Sequence, residues 1–459
     1  MPHFLLQRLT ACALCSLAVV SGWAQTAETE DTSARYQLTY NRQLHQSFSE
    51  KYHGANSLKN SKEFMYTFST TAHWGFRPWQ DGELYFNPEV TSGVPFSGNL
   101  VGMGGFTNGE ITRAGGSNLK LYRQRLFVRQ TWNHGGEQEQ IESDFNQMAG
   151  LVDKNRFVLT AGNFSTLDVF DDNAYAKDPR TQFMNWGNWT YASYDYAADA
   201  RGFGWGFAGE WYQDNWVLRF GRMSGPKTPN GLPVDFALGK HYGDQLELER
   251  GHILADQPGK VRVLAWRNRA QVASFNDATQ WLQNRACMSS NNCPAETTPQ
   301  ALIDVRGGEK IKYGLGVNIE QAINPSVGFF LRAMKADGRT ETYAFTEADG
   351  SLSTGLVFKG GLWGRTDDTV GVAFMHNTLS PERRGFLAAG GMSYFIGDAS
   401  ATSATSLTYK PEQVLEAFYS FQITRSTWLT ADYQRIQNPA YNADRGPVNV
   451  YAARFHAEF

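Results

Sequence analysis

The last segment of the chain places the tightest limit on its fold. Apolar residues alternate there with mostly polar ones, and the chain ends on an aromatic residue. The apolar members are Tyr451, Ala453, Phe455, Ala457 and Phe459, and the residues between them are Ala452, Arg454, His456 and Glu458. Successive side chains of a β-strand point to opposite faces. The segment therefore predicts a strand with one apolar and one polar face, which belongs either to a membrane barrel or to a soluble sandwich.

The same alternation recurs from Arg35 onward in segments of about ten residues. Aromatic residues alternate with mostly small ones from Phe203, and apolar residues alternate with polar or small ones from Ile311 to Ile319. A tilted strand of about 9–11 residues spans a bilayer, and aromatic residues concentrate where such strands meet the membrane surface. The aromatic cluster between Trp74 and Trp79 lies beside a turn, which is where a strand of a membrane barrel would meet the membrane surface. These segments favour a barrel over a sandwich.

Composition agrees with a membrane barrel and disfavours a helical membrane protein. Aromatic residues make up 14% of the 459 residues, yet the mean hydropathy is −0.44. A barrel meets lipid only on its outer face and keeps a polar lumen, so it is rich in aromatic residues without being apolar overall. Helical membrane proteins need runs of about 20 apolar residues, and the chain beyond residue 24 has none. The formal net charge of −3 gives no reason to expect nucleic acid as a partner.

The spacing of turns predicts the topology. Short turns near residues 213–215, 255–259, 322–326 and 423–427 alternate with long loops near 92–117, 224–240 and 270–306. Bacterial barrels have short periplasmic turns, long external loops and an even number of strands. We expect an all-β fold, a transmembrane antiparallel β-barrel of about 16 strands, with 18 possible because one hairpin between residues 327 and 400 is ambiguous. The last strand should meet the first near Tyr36.

The amino terminus is typical of a secretory signal. A polar start is followed by an apolar run from Leu9 to Val20, and small residues precede the expected cleavage site after Ala24. Residues 1–24 are therefore predicted to be a signal peptide. Residues 25–34 would form a short polar N-terminal segment, and residues 35–459 a single transmembrane barrel domain.

Two cysteines, Cys287 and Cys293, remain beyond the predicted cleavage site. They lie close together in a polar stretch of an exported chain, where a disulfide is the usual arrangement. A metal site is disfavoured because no histidine or second cysteine pair lies near them. We predict a Cys287–Cys293 disulfide that stiffens a surface loop.

One predicted strand carries three arginines, Arg123, Arg125 and Arg129. Their spacing of two and four residues places them on one face. A lipid-facing arginine at the middle of the membrane costs about 2–4 kcal/mol, so we expect all three to face the lumen. They form either a structural ladder with acidic neighbours or a lining that binds hydroxyl-rich or anionic solutes through guanidinium donors. The two roles are compatible.

The stretch from Gly162 to Trp189 is too long for a tight turn and too apolar for a free external loop. Long loops in compact domains are usually functional or disordered, and this composition does not suggest disorder. We expect it to fold into the lumen and narrow the channel, with packing on neighbouring external loops as the alternative. The side chains expected to be buried or hydrogen-bonded there are Phe170, Asp171, Asp172, Arg180, Phe183 and Trp186. Its acidic residues lack the spacing of a calcium-binding loop, so no metal is expected.

These segments resemble the carbohydrate-selective (OprB-like) porin family of Gram-negative outer membranes. The matching stretches are residues 82–89, 125–132, 163–175, 178–186, 194–202, 337–342 and 444–447. The resemblance extends from about residue 50 to residue 459, but does not cover the loop with Cys287 and Cys293. It implies a single barrel that passes glucose and other sugars by facilitated diffusion. A closing strand that ends on phenylalanine also resembles the one that the outer-membrane assembly machinery recognises.

Sugars have apolar faces and polar edges, so a sugar pore needs aromatic planes beside hydrogen-bonding groups. Binding must be favourable but weak for conduction. The predicted pore lining is Tyr85, Asn87, Glu89, Arg123, Arg125, Arg129, Asp171, Asp172, Arg180 and Trp186. The alternative is a general or anion-preferring porin, which an excess of arginine at the constriction would favour.

Enzyme motifs are absent from the sequence. It contains neither the Gly-x-Ser-x-Gly turn of hydrolases nor the His-Glu-x-x-His of zinc proteases. We therefore expect a channel without catalysis, cofactor or metal. The expected partners are small sugars, outer-membrane lipid and the barrel assembly machinery, and the oligomeric state is not predicted.

Overall fold

The computed structural model describes residues 29–51, 53–98, 102–285, 287, 296, 298–345, 347–399 and 407–459. Within these ranges, sixteen antiparallel strands close into one barrel, in chain order and with the last strand paired to the first. They are β1 Thr32–His45, β2 Glu63–Trp79, β3 Gly82–Val94, β4 Gly116–Asn133, β5 Arg156–Phe164, β6 Gly204–Gln213, β7 Trp216–Met223, β8 Tyr242–Leu254, β9 Gln257–Ala270, β10 Lys310–Asn324, β11 Val327–Ala336, β12 Gly350–Lys359, β13 Thr369–Thr378, β14 Glu412–Thr424, β15 Thr427–Gln437 and β16 Val448–Glu458. The predicted barrel of 16 strands is confirmed, and the ambiguous stretch contributes β11 to β13.

Side chains alternate between the two faces of the sheet, as the sequence predicts. In β1, Gln37, Thr39 and Asn41 are buried inside the barrel, whereas Tyr36 and Tyr40 are exposed outside it. Exposed apolar side chains continue around the outer surface and include Phe64, Phe76, Phe207, Trp211, Leu246, Leu315 and Leu429. Side chains of this kind suit a lipid surface, and closure of the sheet pairs the strand N–H and C=O groups that hydrocarbon could not solvate.

The seam of the barrel joins the two ends of the sequence. Tyr40 lies opposite Phe455, and Leu44 lies opposite Tyr451. The main chains of Tyr36 and Phe459 then exchange two N–H···O hydrogen bonds, of 2.9 and 2.8 Å. The terminal aromatic residue is therefore part of the ladder, which confirms the predicted meeting point near Tyr36.

Short turns lie at one end of the barrel. They are residues 80–81, 214–215, 255–256, 325–326 and 425–426. Asp81 and Asp214 adopt positive φ angles of 55° and 52° in two of them, a conformation that aspartate tolerates because its side chain is short and polar. The start of β1 and the end of β16 lie at this same end, which makes it the periplasmic end.

Longer connections lie at the opposite, extracellular end, and the described parts of the connections contain five short helices. The helices are α1 Ile111–Ala114, α2 Trp186–Trp189, α3 Phe275–Gln283, α4 Gln300–Val305 and α5 Pro381–Ala388. At the start of α5, the Ser380 hydroxyl accepts the Arg383 N–H at 3.1 Å, and proline follows the cap. Apolar side chains of α3, α4 and α5, including Phe275, Leu302 and Phe386, pack into one extracellular cluster.

One periplasmic connection is much longer than the others. Residues 134–155, between β4 and β5, form a two-stranded ribbon in which Gln138–Ile141 pairs with Gly150–Asp153. We call residues 134–155 the periplasmic hairpin. The alternation of apolar and polar residues in this hairpin does not distinguish it from a pair of barrel strands. Its length was therefore not predicted from the sequence.

Two sequence predictions fall partly or wholly outside the described residues. The predicted signal peptide, residues 1–24, lies outside them, as does Cys293. Cys287 is disulfide-bonded, and its pairing with Cys293 stays a prediction. No helix in the described part of the chain is both long and apolar enough to cross a membrane.

Candidate functional site

Residues 165–203, between β5 and β6, fold into the lumen and reach the opposite wall. We call them the constriction loop. Arg454 of β16 donates to the carbonyl oxygens of Pro179 and Gln182, both at 2.8 Å. Glu416 of β14 accepts the N–H groups of Met184 and Asn185, at 2.5 and 3.1 Å. The predicted inward fold is confirmed, and polar side chains of the barrel wall satisfy the main chain of the loop.

A buried ion cluster attaches the loop to β2 and β3. Arg180, only 4% exposed, donates to Glu89 at 2.6 Å, to Glu110 at 3.0 Å and to the Thr71 hydroxyl at 3.2 Å. Arg113 of α1 pairs with Glu110 at 2.7 Å, so two guanidinium groups balance two carboxylates. Burial alone would lower the pKa of Arg180, but the Glu110 and Glu89 carboxylates raise it. Arg180 therefore stays charged and holds the loop.

Three acidic side chains of the loop form further ion pairs. Asp168 accepts two hydrogen bonds from Arg125 of β4, at 2.7 and 2.6 Å. Asp171 accepts from Arg332 of β11 at 2.8 Å. Asp172 pairs within the loop with Lys177 at 2.6 Å. The first two pairs tie the loop to opposite parts of the wall, which fixes its height in the channel.

Aromatic rings form a stacked group beside these charges. The Trp186 ring lies 4.8 Å from the Phe345 ring and 4.6 Å from the Trp189 ring. Tyr196 stacks on Phe345 at 4.7 Å and lies nearly parallel to Trp186 at 6.4 Å. Asn185 caps α2 by accepting the Gly187 N–H at 3.2 Å, so the two tryptophans sit on one rigid helical turn.

A cavity of about 850 Å³ brings the charges and the rings together. Its lining includes Trp186, Trp189 and Tyr196 from the constriction loop and Arg125 and Arg129 from β4. Aromatic side chains and fixed N–H donors thus border one space, with Trp186 and Tyr196 each 1% exposed. The arrangement suits a solute with an apolar face and hydroxyl groups, because each part finds a matching surface.

Six of the ten predicted lining residues line this cavity. They are Arg125, Arg129, Asp171, Asp172, Arg180 and Trp186. Tyr85, Asn87 and Glu89 face the lumen but are covered: Tyr85 and Asn87 by the periplasmic hairpin, and Glu89 by Arg180. None of the three is among the residues that line the cavity. They position neighbouring groups and do not reach the cavity.

The predicted position of Arg123 is wrong. A bulge sets Arg125 opposite Asn87 but Arg123 opposite Pro88, which leaves Gln124 as the extra residue. An extra residue reverses the alternation, so Arg123 and Arg125 point to opposite faces. The Arg123 guanidinium lies 5.0 Å from the ring of Trp205, which shares the outer face of β6 with Phe207. This aromatic contact and the nearby extracellular end of β4 allow the arginine to lie on the outer face.

Several residues that line the cavity lie outside the predicted set. Trp189 follows Trp186 by three positions, and helical spacing there would have placed both on one face. Tyr196 and Arg201 lie in the matched stretch 194–202, but no lining role was assigned to them. Arg113 lies three positions after its partner Glu110, but only the folded chain brings this pair beside Arg180.

A matched pair of substitutions tests the bulge. Arg125→Ala removes the partner of Asp168, so we expect altered single-channel conductance and weaker block of the ion current by sugar. Arg123→Ala acts on the outer face, so conductance should match that of the unmodified protein. Planar-bilayer recordings of both variants make the comparison. Equal effects of the two substitutions would contradict the opposite orientations of the side chains.

Acidification is expected to loosen the constriction loop. Burial opposes ionisation of Asp168, but Arg125 and the Ser165 N–H lower its pKa below the ordinary value of 3.8. The Lys177 ammonium lowers the pKa of Asp172. A lowered carboxyl pKa stabilises the folded loop above the ordinary pKa and loses this effect as pH falls through the lowered one. The contribution of these two carboxylates to conductance should therefore be steady from about pH 7 to about pH 4 and change only below that range.

Asp168→Asn is the control for this pH dependence. It removes the charge at every pH, so its conductance at neutral pH should approach that of the acidified protein. A change between about pH 7 and about pH 5 that the unmodified protein shows and Asp168→Asn lacks would contradict this explanation.

The described residues contain no group of three or more His, Cys, Asp or Glu side chains that could hold a metal ion.

Several solved structures are similar to this barrel. Among solved structures, the high-pH structure of Pseudomonas putida OprB is 14% identical, covers 94% of each chain and has a TM-score of 0.65. The low-pH structure of Pseudomonas putida OprB is 11% identical over 92% of each chain, with a TM-score of 0.46. The outer membrane channel DcaP of Acinetobacter baumannii is 10% identical over 96% of this chain and 100% of its own, with a TM-score of 0.47. No curated protein sequence matches the chain.

The family comparison is more specific than these structural similarities. Residues 55–459 match the model of the carbohydrate-selective porin, OprB family. This match covers most of the chain, and the structural comparison shows the same barrel fold. The chain therefore belongs to the OprB family of carbohydrate-selective porins, which are β-barrel channels of the Gram-negative outer membrane.

Proposed function

We propose that this porin passes small neutral sugars, glucose among them, by facilitated diffusion. The observation that carries the proposal is the cavity in which the Trp186, Trp189 and Tyr196 rings meet the guanidinium groups of Arg125 and Arg180. A pyranose ring would pack its C–H face on the aromatic group. Its hydroxyl oxygens would accept hydrogen bonds from the arginines, and its hydroxyl hydrogens would donate to Asp168.

The ion pairs of the cavity arginines make sugar binding weak. The arginines already donate to carboxylates, so a sugar competes for their remaining donors and gains little beyond what water provides. Stacking adds a modest attraction that depends on contact area. The sugar therefore enters readily and leaves readily, as net transport down a gradient requires.

Charge pairing favours neutral sugars over anions. Arg125 pairs with Asp168, Arg129 with Glu83, and Arg219 with Glu210. A general or anion-preferring pore would leave an excess of unpaired cations along the cavity. The alternative of an anion-preferring porin is therefore less well supported than sugar transport.

Liposome swelling tests the proposal. Proteoliposomes are exposed to glucose, sucrose and amino acids of matched size, with protein-free liposomes as the control. Faster swelling in glucose than in a size-matched amino acid is expected. Equal rates for all solutes of one size would overturn sugar selectivity, and faster entry of anionic solutes would support the anion-preferring alternative.

Three further proposals concern biogenesis. We infer that residues 1–24 are removed as a signal peptide and that the mature barrel domain, predicted to span residues 35–459, also includes the start of β1 at Thr32. The outer face contacts outer-membrane lipid, as its exposed aromatic and aliphatic residues suggest. The assembly machinery would recognise β16, whose last residue Phe459 pairs at the seam.

A further inference from the structure

The periplasmic hairpin enters the lumen from the end opposite to the extracellular loops. The main chains of Asp144 and Gln147 exchange hydrogen bonds of 2.9 and 3.1 Å, which closes a two-residue tip at Phe145 and Asn146. Asn146 adopts a φ angle of 58°, and asparagine is among the few residues that tolerate this conformation. The tip is therefore a tight, defined structure and not an open loop.

Lumen-facing side chains of the barrel hold this tip. The Asn146 side-chain oxygen accepts from Asn87 at 2.7 Å, and its carbonyl oxygen accepts from Arg129 at 2.9 Å. The Phe145 ring lies 4.6 Å from the ring of His73. β2, β3 and β4 each contribute one of these contacts, so the tip is fixed against the wall at several points.

The base of the hairpin is also attached. The Met148 N–H donates to the Tyr85 hydroxyl at 3.1 Å. Ahead of β1, Glu30 and Ala149 exchange hydrogen bonds: the Glu30 N–H donates to the Ala149 carbonyl at 3.0 Å, and the Ala149 N–H donates to the Glu30 carboxylate at 2.7 Å. The N-terminal segment thus braces the hairpin in the periplasmic mouth.

The hairpin and the constriction loop border one space. The cavity of about 850 Å³ is lined by Phe145 and Met148 of the hairpin and by Arg180 and Trp186 of the constriction loop. A solute that has passed the constriction loop therefore meets the hairpin before it reaches the periplasm. The two elements lie in series along one pathway.

We propose that the periplasmic hairpin is a second filter, on the exit side, that limits the size of the sugars that pass. Tyr85 and Asn87 are positioning residues for this filter, since they hold the hairpin and do not line the cavity. The inference deepens the proposed function and rests on it for the nature of the solute. The narrowing of the pathway by the hairpin is independent of the proposed function, because it affects any ion as well as a sugar.

The double substitution Phe145→Ala with Asn146→Gly tests the filter. Glycine accepts the positive φ angle, so the turn is kept while both tip side chains are removed. We expect conductance in potassium chloride to rise on the order of twofold, because the exit contributes resistance in series. Swelling should rise more for a trisaccharide than for a monosaccharide, since only the larger solute is limited by width.

Asp214→Gly is the matched control. Asp214 has a φ angle of 52° in the periplasmic turn of residues 214–215, and it lies outside the cavity lining. Conductance and size dependence should be unchanged. Asn87→Ala is a second test that leaves the tip intact and removes one anchor, so its effect should have the same direction and be smaller. The heat-dependent shift of the barrel in gel electrophoresis reports folding of each variant.

Unchanged conductance and unchanged size dependence in both the double variant and Asn87→Ala would overturn the filter. Failure of the proposed function has a different signature. In that case the unmodified protein shows equal swelling for sugars and size-matched amino acids, while the conductance comparison still reports on the hairpin.

Discussion

Arg180→Ala is expected to release the constriction loop and to abolish sugar selectivity. The substitution leaves the Glu89 and Glu110 carboxylates buried without the guanidinium that now joins them at 2.6 and 3.0 Å. Removing one partner of a buried ion pair costs about 3–5 kcal/mol. We expect higher conductance, loss of current block by sugar, and unfolding at lower denaturant concentration. Bilayer recordings and denaturant titrations measure these effects.

Two further variants separate anchoring from charge balance. Arg180→Lys keeps the positive charge but lacks the planar fork that bonds two carboxylates, so partial release is expected. Combining Arg180→Ala with Glu89→Gln removes the uncompensated carboxylate and leaves Arg113 paired with Glu110, so stability should recover while sugar block stays lost. Normal sugar block in Arg180→Ala would show that Arg180 does not hold the loop in its selective position.

Trp186→Ala is expected to reduce sugar affinity strongly while the channel stays open to ions. It removes the ring that stacks on Trp189 and Phe345 at 4.6 and 4.8 Å. A loss on the order of tenfold in the affinity of current block corresponds to about 1.4 kcal/mol, a size in keeping with aromatic stacking. The ion pairs of Arg180 and Asp168 are untouched, so the loop should keep its place.

Trp132→Ala is the control for this substitution. Trp132 lies on the lipid face and is 45% exposed, so its loss should leave sugar block unchanged. Trp186→Phe keeps an aromatic plane and should retain much of the affinity. Equal sugar block in Trp186→Ala and in the unmodified protein would remove this residue from the binding site.

Local pattern was enough to predict the barrel. Alternation with period two is a property of each strand by itself, and a lipid-facing arginine is costly, so strand faces follow from the sequence. The same logic predicted an inward loop from its length and apolar content. It also predicted the seam, because the first and last strands of a closed barrel must pair, and Tyr36 and Phe459 do so.

The predictions were wrong where contacts with neighbouring segments determine the exposure or orientation of a side chain. Asn87 and Tyr85 point inward as predicted, yet the periplasmic hairpin covers them, and alternation gives no information about what covers a face. Arg123 lies outside because one extra residue, Gln124, interrupts the ladder. A bulge is set by pairing with the adjacent strand, which the sequence of one strand does not contain.

The sequence by itself determined the class of this protein: an exported β-barrel with a polar lumen and a loop turned into it. Those features depend on short-range alternation, composition and loop length. Only the tertiary structure determined which residues line the pathway through the barrel. Arg180 meets Glu89 across 91 positions and Arg332 meets Asp171 across 161. Closure of the barrel brings such distant residues together, so the proposed sugar site exists only in the folded chain.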